Sequence, residues 1–450
     1  MGLTGIQIMQ KLPKTNCGDC GFPTCLAFAM KVAAGQAEID KCPHVDPAVK
    51  EEIAEASAPP IRTVILGSGE HQVKLGGETV LFRHEKRFEN PTAIGVRVAT
   101  DMGEEEVARR LTAFRNCRWE RVGLQLEPQI VAIEETNGNK EAFLSLVKRV
   151  REELPEAILV LMSKDRGALA EACDLCGEHR PLLYAATLDN FKEMGELAKE
   201  KKAALAVKGE NLGETARVSE ELLKLGLKDL VLDTGARSVR ELYEDQVIVR
   251  RAAIKKRFKP FGFPTITFPY RYARDFLSEA ILAGVLIPKY AGAVILSDFR
   301  PDVLFPLFVE RMNIFTDPQK PLVVEEGIYP INGPDENSPV LITCNFALTY
   351  FIVSGEVEGS RVPSWLLIKD TEGLSVLTAW AAGKFGADTI AEFVKKCGIA
   401  EKVKHRKLVI PGYLAGIKGE LEDELPDWEI VIGPREASGL PSFLKEWKAA

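Results

Sequence analysis

The sequence predicts a multidomain α/β protein with a small four-cysteine module at residues 1–58, a (β/α)8 barrel at 59–321 and a doubly wound α/β unit at 322–450. Three observations predict it. Cys17, Cys20, Cys25 and Cys42 are bunched in the first tenth of the chain. Short apolar runs then alternate with amphipathic stretches eight times, the rhythm of a parallel sheet covered by helices on its outer face. After a proline-containing linker, Thr316 to Pro321, a shorter alternation yields four more strands. At 450 residues the chain is also too long for one hydrophobic core.

Composition narrows the class. Hydrophobic residues make up 46 % and charged residues 27 %, as in ordinary globular proteins. A net charge of -7 leaves no basic footprint for nucleic acid. No apolar run reaches membrane-spanning length, and the N-terminus lacks a signal-peptide core, so the expectation is a cytoplasmic protein without a membrane partner. Nine cysteines, an odd number with four clustered, suit metal ligation better than a disulfide framework.

In the first module, helices are expected over Gly5 to Leu12, Cys25 to Ala34 (ended by Gly35) and Pro47 to Ala56, with Ser57 to Pro60 as linker. Zinc and iron-sulfur centres both take four cysteines. Structural zinc usually comes from two short Cys knuckles, whereas here three cysteines share one winding loop and Cys42-Pro43 arrives alone. That spacing favours a [4Fe-4S] cluster over zinc, with Phe22, Leu26, Phe28 and Met30 as an apolar sleeve. Cys173 and Cys176 form a lone pair on the third barrel helix with nothing to complete a site. Cys117, Cys344 and Cys397 read as buried hydrophobes.

Two strands, Thr63 to Gly69 and Glu78 to Arg83, joined by Gly76-Gly77, are expected as a hairpin plugging the barrel floor. The barrel strands are expected at Ala93 to Ala99, Arg121 to Leu126, Ile158 to Met162, Leu182 to Ala186, Ala204 to Val207, Asp229 to Leu232, Thr265 to Phe268 and Ala293 to Leu296. Their carboxyl ends would bring Asp101, Glu127, Ser163, Asp189, Asn190, Lys208, Asn211, Asp233, Thr234, Tyr270 and Asp298 to one face. Polar residues occupy that face in most barrels, so a scaffold role weighs as much as a site.

The last unit is expected to have strands Val340 to Cys344, Trp365 to Lys369, Lys407 to Ile410 and Glu429 to Ile432, with helices Ala347 to Ser354, Leu374 to Lys396, Leu414 to Asp423 and Ser438 to Lys448. Such a sheet binds ligands at the carboxyl ends of its strands. The candidate contacts there are Val340 and Thr343 on the first strand, Asn345, Phe346 and Thr349 after it, then Asp370, Thr371, Glu372, Gly373, Leu374, Ser375 and Thr378, with Gly412, Gly433 and Pro434 on the later loops.

With Cys17, Cys20, Cys25, Cys42-Pro43 and the Asp370 to Ser375 loop in this order, the whole chain resembles the large subunits of the corrinoid iron-sulfur proteins of the acetyl-CoA pathway. The resemblance implies a [4Fe-4S] cluster on the four cysteines and a corrinoid on the last unit. It implies a methyl carrier cycling between Co(I) and methyl-Co(III), taking the methyl from methyltetrahydrofolate on a methyltransferase and passing it to acetyl-CoA synthase. The implied partners are a small barrel subunit in a heterodimer, these two enzymes and a reductive activator; the cluster would return oxidised cobalt to service. Many cobalamin proteins carry Asp-x-His-x-x-Gly; aligned on Asp370, the His position is Glu372 and the Gly position Ser375, so the loop offers no protein lower ligand to cobalt, and Leu374 or Thr378 would face the ring. Two rival readings stand beside this one: a methyltransferase whose own barrel binds the methylpterin, and an electron-transfer subunit with a docking domain.

Overall fold

The computed structural model describes residues 3–33, 36–121 and 124–448. They divide into two compact units, Met1–Arg118 with Glu127–Phe315, and Trp119–Leu126 with Thr316–Ala450.

In the first unit, helices Gly5–Lys11, Cys25–Ala33 and Pro47–Ser57 surround a small core of Ile8, Phe28, Ile39, Val45 and Ile53. Gly5 has no room for a side chain, because a Cβ there would meet Met30 of the second helix at 2.3 Å. The expected stop at Gly35 lies outside the described residues. A hairpin follows, β1 (Val64–Ser68) and β2 (His71–Leu75). The hairpin turns at Gly69-Glu70, not at Gly76-Gly77, and residues 78–83 form no strand. The reason is chemical: Glu78 leaves the surface to pair with Arg250 at 2.9 Å, both side chains buried. The hairpin's Val64, Leu66 and Leu75 pack with inward-facing barrel residues as the floor plug that the sequence predicts.

The barrel begins with β3 (Ala93–Ala99). The run predicted as its second strand instead gives β4 (Trp119–Arg121) and β5 (Leu124–Leu126), an antiparallel hairpin that belongs to the other unit. Only Leu126 of its strand residues is buried, whereas a barrel strand is buried on both faces. That requirement is met by β6 (Ile130–Glu134), which takes the second place, followed by β7 (Ile158–Met162), β8 (Leu182–Ala186), β9 (Ala204–Lys208), β10 (Leu230–Asp233), β11 (Thr265–Thr267) and β12 (Ala291–Leu296). All eight are parallel and in sequence order, and β12 pairs with β3 to close the barrel. Small residues at Ala93, Ala132, Ala204, Ala206 and Ala293 fill the interior beside Ile and Val. Gly95 admits the closest approach: a Cβ there would sit 2.5 Å from that of Ile130.

The second unit adds β13 (Gly327–Ile331), β14 (Val340–Cys344), β15 (Ser364–Lys369), β16 (Lys407–Ile410) and β17 (Glu429–Ile432) in the order β13-β15-β14-β16-β17. Only β13 is antiparallel, an edge strand missed in the sequence because Pro330 interrupts it; an edge position tolerates the missing donor. Alternate residues of β14 enter opposite cores, Val340 and Ile342 with Phe385 and Ile390, Leu341 with Val357 and Leu440. The helix expected over 374–396 is two helices, Val376–Ala381 and Ala387–Lys396. Gly383, at φ +71, breaks it and buried Phe385 anchors the break. The helix after β14 runs to Ser360, beyond the expected Ser354. The last two expected helices open as 3-10 turns, Gly412–Ile417 and Ala437–Gly439, before the short helices Lys418–Glu424 and Leu440–Lys445.

Among the described residues no helix is long and apolar enough to cross a membrane.

One buried barrel group makes a measurable weakness. Asp245, on the helix Val239–Lys256, has Oδ2 buried without a partner, and burial pushes its carboxyl up to about 6. The folded value lies above the reference 3.8, so the protonated form is favoured by folding; that stability is full below the unfolded value and lost as pH rises through about 6. Asp245→Asn is therefore expected to raise unfolding free energy at pH 7 by about 1–2 kcal/mol, allowing for solvent screening, and to flatten its pH dependence between about 4 and 6 in urea titrations.

Candidate functional sites at the two ends of the chain

The cysteine loop is a closed turn. Asn16, at φ +49, accepts the Cys25 amide on Oδ1 at 2.8 Å and so ties the start of the loop to its end. Gly18 and Gly21 take positive φ, and the Gly21 amide donates to the Gly18 carbonyl at 2.8 Å. Thr24 caps the following helix by accepting the Ala27 amide at 3.1 Å. Cys25 and Cys42 are buried in the module's core, Cys20 is half-buried against it and Cys17 is exposed. The two cysteine segments are also joined outside the core, His44 Nε2 lying 2.6 Å from Asp19 Oδ2. This contact, first, and a hydrogen bond with Cys17 hold the Asp19 carboxyl below its usual range. Cys17, Asp19 and His44 present ligand-capable atoms within 4.8 Å of one another. The expected sleeve is half correct. Phe22 and Phe28 pack at 5.5 Å, but Leu26 and Met30 point outward, 48 % and 55 % exposed. All nine cysteines are free; Cys173 and Cys176 are pushed by burial to about 12 and about 11, so they stay inert thiols.

At the other end, the sheet order fixes where a ligand fits. The chain leaves β14 for β15 on one side and then crosses to β16 on the other, so the switch point of the sheet lies between β14 and β16. A cavity of about 180 Å3 opens there, lined by Thr343, Thr349, Ile352, Val353, Ile410, Tyr413, Gly433 and Pro434 among others. The loops around it are knit closely. Gly412 donates to the Pro434 carbonyl at 3.1 Å, and a Cβ on Gly412 would stand 2.5 Å from the Gly433 oxygen. Tyr413 donates to Glu436 at 2.6 Å, a bond that raises its pKa.

Asn345 organises the neighbouring loop. Its Oδ1 accepts from the Thr371 amide at 3.0 Å and the Gly373 amide at 3.1 Å, while Nδ2 donates to Asp370 Oδ1 at 2.7 Å. The Thr371 hydroxyl lies 2.9 Å from Asn345 Oδ1 and 2.8 Å from the Leu374 carbonyl. Asp370 Oδ1 accepts the Glu372 amide at 2.9 Å, and Glu326 accepts the Asp370 amide at 2.6 Å. Glu372 and Gly373 both have positive φ.

Of the candidate contacts, Thr343, Thr349, Gly433 and Pro434 line the cavity. Asn345, Asp370, Thr371 and Gly373 are engaged with one another; Asp370 and Glu372 are exposed. Phe346 caps the helix Ala347–Ser360, and Leu374 and Ser375 are half-buried. Thr378 is exposed, 3.1 Å from the Ser375 hydroxyl. Val340 is fully buried at the far, amino end of β14.

Sequence reasoning missed the exposed apolar residues beside these loops: Leu348, Ile352, Leu377, Trp380 and Tyr413, each 46–58 % exposed. The signal was present, because the helix from Ala347 is apolar on several sides and must leave some of that surface uncovered. No histidine joins them. The five histidines are at 44, 71, 84, 179 and 405, and His405 precedes β16 at the amino end, held by the Ser338 carbonyl and the Lys407 amide.

These features define a modular protein with a cysteine-rich centre at one end, a closed barrel between, and at the other end an α/β unit whose switch-point cavity is bordered by exposed apolar surface. The family described as "CO dehydrogenase/acetyl-CoA synthase delta subunit" matches residues 63–444, and one described as "Putative Fe-S cluster" matches residues 12–44, which contain all four clustered cysteines. The chain is 45 % identical to the "Corrinoid/iron-sulfur protein large subunit" of Moorella thermoacetica over 99 % of both chains. It is 36 % identical to the "Acetyl-CoA decarbonylase/synthase complex subunit gamma" of Methanopyrus kandleri, over 99 % of this chain and 98 % of that one. A dihydropteroate synthase structure from Thermus thermophilus overlaps 55 % of this chain and 98 % of its own at 14 % identity and a TM-score of 0.38, too loose a likeness to bear on function. The chain belongs to the family of corrinoid/iron-sulfur protein large subunits and acetyl-CoA decarbonylase/synthase gamma subunits.

Two variants at Asn345 test the loop. Asn345→Ala strips the partner from two backbone amides and is expected to destabilise the second unit by about 2–3 kcal/mol in urea unfolding. Asn345→Asp keeps an acceptor but sets a second carboxyl against Asp370, so its stability is expected to fall more steeply than the parent's as pH rises through the carboxylate range.

Proposed function

We propose that the chain is a methyl carrier. It would receive a methyl group from methyltetrahydrofolate through a methyltransferase and deliver it to acetyl-CoA synthase, working with a small barrel subunit and a reductive activator. A bound corrinoid supplies the cobalt that takes up and releases the methyl group. A [4Fe-4S] cluster supplies single electrons that restore cobalt after accidental oxidation.

The residues fit these groups. Cys17, Cys20, Cys25 and Cys42 would hold the cluster, on a loop that Asn16 already closes, with Phe22 and Phe28 shielding one side. Exposure of Cys17 leaves that side open to an electron donor. In the last unit, Leu348, Ile352, Leu377, Trp380 and Tyr413 would cover apolar parts of the corrinoid, each buried Å2 being worth about 25 cal/mol. The cavity, roughly the size that holds one ring system, would take only a small part of so large a ligand.

The observation that carries the reading is what the Asp370 loop withholds. Asn345 is engaged with the loop's own amides, Glu372 is paired with Lys384, and no histidine lies at this end of the sheet. This supports a corrinoid with no protein lower ligand to cobalt, the condition that favours its low-valent, methyl-accepting form. The rest of the loop would position the corrinoid without offering it a nitrogen donor side chain.

The test is metal content. Protein matured with iron, sulfide and corrinoid is expected to hold about four iron atoms and about one cobalt per chain. Cys20→Ser is expected to lose iron yet retain corrinoid, read from visible spectra. Zinc in place of iron, or no cobalt, would contradict the proposal.

A further inference from the structure

The barrel mouth has hydrogen-bonding capacity that the methyl-carrier reading does not use. At the carboxyl ends of the strands, Arg271 donates through Nη1 to the Tyr184 hydroxyl at 2.9 Å, and that hydroxyl donates to Asp233 Oδ2 at 2.6 Å. Asp233 Oδ1 accepts the Gly235 amide at 3.1 Å, so both its oxygens are engaged. On the opposite strands Arg97 is paired through Nε with Glu134. Both oxygens of Asp233 and one of Glu134 are thus engaged.

The donors are not. Arg271 lies over the Phe268 ring at 3.9 Å from its centroid, is 28 % exposed, and makes its side-chain bonds through Nη1 alone. Arg97 is 21 % exposed, with Nη2 no closer than 3.8 Å to Asp101. Tyr270 stands between the two guanidiniums, 5.9 Å from Arg97 and 5.8 Å from Arg271 measured to its ring centroid. Its hydroxyl is buried, with Arg271 as a neighbouring donor but no partner within hydrogen-bond distance and angle. A fold seldom leaves such a group unsatisfied without a reason.

We infer that the barrel mouth binds a small oxyanion, a carboxylate or a phosphate, between Arg97 and Arg271 and against the Tyr270 hydroxyl. Two guanidiniums offering planar N–H forks match the geometry of either anion. The mouth of a (β/α)8 barrel is also where such ligands bind in proteins of this architecture.

Calorimetric titration of the full-length, cofactor-loaded chain with glutarate and, separately, inorganic phosphate, at ionic strength fixed with chloride, decides the matter. Saturable one-site binding of at least one probe is expected, and which probe binds identifies the anion. Tyr270→Phe removes only the unpartnered hydroxyl and is expected to weaken that binding roughly tenfold while leaving thermal stability equal or higher. Arg97→Gln is expected to weaken it at least as much. Absence of saturable binding by both probes, or binding unchanged in Tyr270→Phe, would overturn the inference, whatever the corrinoid and iron contents prove to be.

Discussion

A single amide side chain decides the character of the C-terminal site. Asn345 sits at the end of β14 and binds the loop after β15 through both of its polar atoms. The loop is thereby held with Glu372 and Gly373 in left-handed backbone geometry and with its polar groups directed at one another. Beside the exposed Asp370, Glu372 and Thr378, a set of apolar side chains also faces outward around the switch point: Leu348, Ile352, Leu377, Trp380 and Tyr413. A site built this way offers a ligand apolar area and shape.

The cysteine loop follows the opposite logic. There the backbone is closed first, by Asn16 on the Cys25 amide and by the Gly18–Gly21 turn, and the side chains left over are thiols. Cys25 and Cys42 face the core and Cys17 faces solvent. A centre on these thiols, as proposed, would have a buried side and a side reachable from solvent. In both loops a short polar side chain fixes the backbone, and the chemistry would belong to the group each loop is proposed to hold.

Much of this was legible in the sequence, and the misses have physical causes. Seven of the barrel strands were readable because strands buried on both faces are continuous apolar runs. The second strand was misplaced because Arg121 to Leu126 also reads as a strand; what distinguishes Ile130 to Glu134 is burial, which depends on the closed barrel. Gly76-Gly77 looked like a turn until Glu78 proved to be needed by Arg250, a partner 172 residues away. Pro330 hid an edge strand, and Gly383 broke a helix whose apolar pattern ran through it. The four cysteines could be singled out because spacing alone carries a ligand signal. The apolar rim could not, since an exposed leucine and a buried one are spelled alike. Asn345 was found as a loop residue, but its reach to Asp370, Thr371 and Gly373 depends on β14 and β15 lying side by side.

The central claim is that this chain presents a corrinoid with no donor of its own beneath the metal. Electron paramagnetic resonance of the cobalt(II) state in the corrinoid-loaded protein tests it most directly. The expected spectrum shows no nitrogen superhyperfine splitting from the chain: its lines are unchanged by uniform 15N labelling of the protein and by replacement of His405 with Gln. Triplet splitting of the cobalt lines, from an axial nitrogen supplied by the protein, would contradict it.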